Sequence, residues 1–132
     1  MAQATASLSN YRQSPRKVRL IADLVRGKSV DRALALLATL PKRGSEPMEK
    51  LVRSAVANAV QKGATASDLV IEKIEVNGGI VFKRSMPRAR GRASAIHKKS
   101  SHITLALGVK SGASKVKKTS SKAASTKTPA TK

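Results

Sequence analysis

The chain's 132 residues suit one small domain, and its lack of cysteine excludes disulfides and thiolate metal centres; His97 and His102 alone cannot hold zinc, so no cofactor is expected. No apolar run approaches the roughly 20 residues that span a bilayer. The formal charge of +20 is unevenly placed: residues 1–75 carry 13 basic and 7 acidic side chains, residues 76–132 carry 14 basic and none acidic, and an asymmetry of this kind calls for a polyanionic partner.

In chain order, Thr5 to Tyr11 alternates too weakly to establish a strand. Ser14 before Pro15 reads as an N-cap with proline in the first helical position, and Val18, Ile21, Ala22 and Val25 then recur at helical spacing up to a stop at Gly27. Ser29 opens a second helix with Ala33, Leu34, Leu37 and Leu40 along one face, closed by Pro41. Ser45 and Glu46 start a third, whose stripe of Met48, Leu51, Val52, Ala55, Val56, Ala59 and Val60 runs to Gly63. The alanines on this helix permit close approach to its neighbours.

After Gly63 the period becomes extended. Leu69 to Val76 is rich in Val and Ile, and Ser101 to Val109 alternates, so both read as strands. Two reversals compete. Asn77-Gly78-Gly79 is the stronger local hairpin signal, but a turn there pairs the first strand only with Ile80 to Phe82. A reversal near Ala89 instead sets Leu69 opposite Val109 and Val76 opposite His102, joining the two apolar runs along their whole length. We prefer this register, which reduces Asn77-Gly78-Gly79 to a bulge or bend.

The preferred register leaves residues 83–99, KRSMPRARGRASAIHKK, held out from the domain as an arm with seven Lys or Arg and no acid. At ~3.3 Å per residue the arm extends roughly 25 Å from Phe82 to its tip, and the hairpin roughly 65 Å from Leu69. A ribbon with no covered face is marginal in water, so it needs a deep anionic surrounding, which an RNA interior supplies better than a DNA surface. Lys83, Arg84, Arg88, Arg90, Arg92, Lys98 and Lys99 are the candidate phosphate contacts, the arginines favoured by a planar fork that grips two oxygens. Arg12, Arg16, Lys17 and Arg19 join them, because Arg16 and Lys17 lie at the positive end of the first helix. Pro87 marks the end of ladder pairing, and Gly91 suits a positive φ in the turn. With only 2% aromatic residues, the chain is poorly equipped for single-strand binding by base stacking.

These residues carry a family resemblance. Asn10-Tyr11-Arg12 leading into Ser14-Pro15-Arg16-Lys17-Val18-Arg19, the helix end Leu24-Val25-Arg26-Gly27-Lys28, and Ser54-Ala55-Val56-Ala57-Asn58-Ala59 all belong to it. Most specific is the spacing of Lys83, Arg88-Ala89-Arg90-Gly91-Arg92 and His102-Ile103-Thr104-Leu105-Ala106-Leu107. Over about residues 7 to 110 the chain resembles the universal large-subunit ribosomal protein L-twenty-two family. The resemblance implies an α+β fold: three helices packed on a small three-stranded antiparallel sheet, with a long protruding β-hairpin. It makes Thr5 to Tyr11 the third strand. It also implies binding to large-subunit ribosomal RNA, a role in its assembly, contact with neighbouring large-subunit ribosomal proteins, and a place in the cytoplasmic ribosome. The hairpin tip, Met86, Arg88, Ala89, Arg90 and Gly91, would line the nascent-peptide exit tunnel near the macrolide site and meet the nascent polypeptide. Residues 1–110 then form one RNA-binding domain, with the hairpin at about 77–101.

Plainer readings stand beside these. The arm could be a solvated basic loop, the first helix's cations its solvent face, Met86 a gap filler, and His102 an ordinary strand residue. The tail, 111–132, is Lys/Ser/Thr/Ala-rich without apolar periodicity and is expected to be disordered. That tail and Ser14-Pro15-Arg16-Lys17 would also suit a DNA-binding nucleoid protein resembling linker histones, for which the long hairpin has no obvious use. An RNA-processing enzyme is disfavoured because the seven acids form no carboxylate cluster for two-metal chemistry.

Overall fold

The computed structural model describes residues 4–109; the expectation for the tail lies outside them. The elements run β1 (Ala4–Tyr11), α1 (Pro15–Val25), α2 (Val30–Thr39), α3 (Ser45–Gln61), β2 (Leu69–Pro87) and β3 (Ala93–Val109). The strands form one antiparallel sheet in the order β1-β3-β2, with the three helices packed on one face. The weak first segment is therefore a true strand, paired with the apolar run of β3 from Ala4↔Leu107 to Tyr11↔Ser101. Its alternation is weak because the inward positions Ala4 and Ala6 are small and give little contrast with the outward Thr and Ser.

Each helix forms for a local reason and is held by burial. Ser14 occupies the N-cap of α1 in extended conformation and Pro15 the first helical position. The Ser14 hydroxyl makes no capping bond; its carbonyl accepts the N–H groups of Lys17 at 3.0 Å and Val18 at 3.3 Å. The whole expected stripe of α1 is buried. In α2 the core takes Val30, Ala33 and Leu37, while Leu40 lies one residue past the helix and is only partly covered. Ala55 and Ala59 bring α3 against the sheet with no exposed surface, whereas Val60, expected in that stripe, is 52% exposed. It lies on the flank of that face, one turn beyond the partly covered Val56, while its neighbour Ala59 takes the wholly buried position.

The register of β2 against β3 begins as expected, with Leu69↔Val109, Val70↔Gly108 and Ile71↔Leu107. It then slips at Glu72, so that Val76 faces Ile103 and not His102. The cause is spacing: Ile71 and Ile74 are three apart, and strict alternation would turn one of them to solvent. An extra residue in β2 restores both to the core, where they are 0% and 3% exposed. A second slip between Gly78 and Val81 makes Asn77-Gly78-Gly79 the expected bend. The Ser100 hydroxyl bonds the Ile80 carbonyl across it at 2.6 Å.

Beyond this bend the ladder continues, without further slips, to Pro87↔Ala93. Two slips move the apex by about one residue, from Ala89 to Arg90. Arg90 and Gly91 both take left-handed backbone, φ 59° and 68°, and the Arg88 N–H closes the turn on the Arg92 carbonyl at 2.7 Å. For Arg90 that conformation costs roughly 1–2 kcal/mol.

The core and the arm are thus separable in energy though continuous in chain. Leu105→Ala should destabilise the domain by about 2–5 kcal/mol in denaturant unfolding, because its side chain is wholly enclosed. Deleting Arg84 to Arg92 should change that stability by less than about 1 kcal/mol, as expected for exposed residues. A deletion that unfolded the domain would show that the arm belongs to its core.

Candidate nucleic-acid interface

From residue 81 to residue 99 every residue except Ser94 is exposed, so the arm is a bare two-stranded ribbon. Directly paired residues share a face, which gives the ribbon two chemistries. Ile80, Phe82, Arg84 and Met86 lie on one side with Ser94, Ile96, Lys98 and Ser100. Val81, Lys83 and Ser85 lie on the other with Ala95, His97 and Lys99. Both faces carry cations, Arg84 and Lys98 on the first and Lys83 and Lys99 on the second, and Arg88, Arg90 and Arg92 crown the tip. Little restrains these groups internally: Arg84 donates to the carbonyl of Lys83 at 2.8 Å, and Arg88 Nε to Ser94 Oγ at 3.3 Å.

The expected contacts outside the arm divide. Arg16 and Lys17 stand exposed on the first turn of α1. Arg12 reaches the root of the arm, its guanidinium 5.5 Å from the centre of the Phe82 ring. Arg19 does something else. Its Nε and Nη2 both donate to the Val76 carbonyl, at 3.2 and 3.0 Å, just before the bend. Seven residues on, Arg26 Nη2 donates to the Ile74 carbonyl at 3.3 Å. Because β2 is an outer strand, its free carbonyls need partners, and these two arginines supply them from α1. The turn after α1 completes the seal: Gly27 N–H donates to the Ile71 carbonyl, and Ile71 N–H to the Lys28 carbonyl, each at 3.0 Å. The amphipathic pattern of α1 assigns Arg19 to phosphate and no role to Arg26. Their seven-residue spacing, two helical turns along one line, was the available signal.

Charge is segregated as well as abundant. Four ion pairs are present among the described residues, Asp23–Arg26, Glu46–Lys50, Glu49–Arg53 and Lys73–Glu75. The hydrogen bond and charge of Lys50 hold the Glu46 carboxyl below its ordinary pKa, and those of Glu75 hold Lys73 above its own. None of the eleven candidate phosphate contacts takes part in any of these pairs. Asp23, Glu46, Glu49 and Glu75 pair with helix and sheet neighbours and no acid lies on the arm, which leaves its positive field uncompensated.

A compact α+β domain that anchors an uncompensated cationic ribbon along a sealed sheet edge defines a class: small basic proteins built to extend into a dense polyanion. The chain belongs to the family described as Ribosomal protein L22p/L17e, whose model matches residues 6–108. It is 51% identical over 109 residues to the large ribosomal subunit protein uL22 of Geobacter sulfurreducens, covering 82% of this chain and 98% of that one. The protein of the same name from Herpetosiphon aurantiacus is 51% identical over 104 residues, 78% of this chain and 92% of the relative. That from Syntrophotalea carbinolica is 51% identical over 109 residues, 82% and 99% respectively. Among the described residues no helix is long and apolar enough to cross a membrane.

The division of labour between Arg19 and its neighbours is measurable. Arg19→Ala should lower unfolding stability by about 1–2 kcal/mol, because a two-pronged charged donor is lost from a carbonyl at the sheet edge. Arg16→Ala should leave stability within about 0.5 kcal/mol and weaken RNA binding instead. Equal stability of the two variants would refute the sealing role.

Proposed function

We propose that this protein is a structural constituent of the large ribosomal subunit in the cytoplasm, binding large-subunit ribosomal RNA and assisting its assembly. The observation that carries this reading is the arm itself: an exposed ribbon of paired strands, cationic on both faces, with no acid to neutralise it. Family membership supports the same conclusion. Residues 1–110 act as one RNA-binding domain, and neighbouring large-subunit ribosomal proteins pack beside it.

The mechanism is architectural. RNA segments repel one another through their phosphates, and interleaved Arg and Lys side chains lower that cost where segments converge. Lys83, Arg84, Arg88, Arg90, Arg92, Lys98 and Lys99 act along the arm, with Arg12, Arg16 and Lys17 at its base. Arg19 contributes by fixing the strand from which the arm departs. The tip, Met86 with Arg88 to Gly91, lines the nascent-peptide tunnel near the macrolide site, where a tight turn bearing exposed arginines would shape the wall. No residue is given a catalytic role.

Competition binding at physiological salt tests the partner: large-subunit ribosomal RNA should displace itself from the protein much more effectively than duplex DNA does. Equal displacement by DNA would sink the ribosomal reading in favour of a nucleoid one. Ribosomes carrying the Arg84 to Arg92 deletion should assemble with an altered response to macrolides or to nascent chains that stall. An unchanged response on both counts would remove the tip from the tunnel wall.

A further inference from the structure

The root of the arm holds a groove of about 390 Å³ bordered by Asn10, Arg12, Ile80, Phe82, Arg84 and Ser100. It forms where two irregularities meet. β1 ends in a bulge with Asn10 in left-handed backbone, φ 56°, and β2 bends at Gly78-Gly79. The groove's floor is braced: the Asn10 N–H donates to His102 Nδ1 at 3.1 Å, and Ser100 holds the Ile80 carbonyl. Gly79 suits that packing, since an added Cβ would lie 2.7 Å from Ser100 Oγ and 2.8 Å from His102 Nε2 and would push those side chains aside. Over this floor stand Ile80, 61% exposed, and Phe82, 39% exposed, the latter under the Arg12 guanidinium.

Phe82 is the chain's only phenylalanine, and an exposed ring at this position does not serve the core. Building on the ribosomal reading, we propose that the Arg12–Phe82 pair is a stacking platform for one unpaired RNA base. Single-stranded nucleotides are recognised by stacking on aromatic rings and Arg planes, with polar groups meeting the base edge. The groove offers each part. The ring offers an aromatic face with the Arg12 guanidinium 5.5 Å from its centre, Asn10 carries an amide that both donates and accepts, and Arg84 stands two residues from the ring to take the adjoining phosphate. The volume falls within the ~300–1,000 Å³ of small-ligand clefts. A protein segment fits less well, because no acid lines the groove and Arg12, Arg84 and Lys98 would have to be answered by carboxylates. RNA supplies a flat apolar surface and negative charge within one nucleotide. The shortage of aromatic residues argues against single-strand binding by base stacking; the platform departs from that expectation because the fold brings together residues 70 positions apart in sequence.

Full-length protein titrated with transcribed large-subunit ribosomal RNA at several salt concentrations separates stacking from charge. Phe82→Ala and Phe82→Leu should each weaken binding about 5- to 100-fold, the scale of one lost base stack, and Phe82→Trp should restore it. The slope of affinity against salt should stay at the wild-type value for all three, whereas Arg84→Ala should flatten it by about one phosphate contact. Wild-type affinity in Phe82→Ala or Phe82→Leu would overturn the platform, as would a changed salt slope. Ultraviolet cross-linking in purified large subunits should join Phe82 to a nucleotide, and a cross-link to a ribosomal protein would overturn it equally. The ribosomal reading itself is judged on the wild-type preference for RNA over duplex DNA, so either conclusion can fail without the other.

Discussion

One ladder organises this molecule. β2 and β3 pair from Leu69↔Val109 to Pro87↔Ala93, and the same two strands supply core side chains at one end and bare cations at the other. Burial of Leu69, Ile71, Ile74, Val76, Ile103, Leu105 and Leu107 against the helices fixes both strands at the base. Backbone hydrogen bonding then carries that order outward, where no side-chain packing could hold it. The arm needs no core of its own because it borrows alignment from one.

Such a cantilever depends on where it is clamped. The sheet order β1-β3-β2 puts β3 in the middle, with both edges occupied near the root, and leaves β2 with a free edge. The α1 helix closes that edge with Arg19, Arg26 and the Gly27–Lys28 turn, so bonds fall on Ile71, Ile74 and Val76, the last residues before the bend. Two bulges then set the direction of exit. An arm meant to reach a defined place in a dense RNA has to leave its domain at a defined angle, and these groups supply that definition. Charge completes the design, with every carboxylate on the domain and none on the ribbon. Repulsion along the arm is tolerable only where phosphates replace it, which couples the arm's final order to its embedding.

Much of this was legible in residue order. The three helices follow from their 3.6-residue stripes and their Pro and Gly boundaries, and the choice of reversal follows from pairing two apolar runs instead of trusting the Asn77-Gly78-Gly79 signal. The cationic arm is visible as seven charges without an acid. Less legible was β1, whose small inward residues Ala4 and Ala6 contrast too little with outward Thr5, Ser7 and Ser9. The bulge at Glu72 is signalled only by the three-residue step from Ile71 to Ile74, and it places Val76 one residue from its expected partner.

What the sequence by itself determined is the segregation of apolar stripes from cations, because hydrophobic period and charge are local properties of the chain. That suffices for an α+β domain with a basic hairpin. Only the tertiary structure decided which cations are free. Arg19 and Arg16 are three residues apart on one helix, yet Arg19 is drawn to the Val76 carbonyl because α1 happens to lie along the open edge of β2, while Arg16 faces outward. Arg12 meets Phe82 for the same kind of reason: the order of strands, which no local pattern contains, brings the end of β1 to the root of the arm.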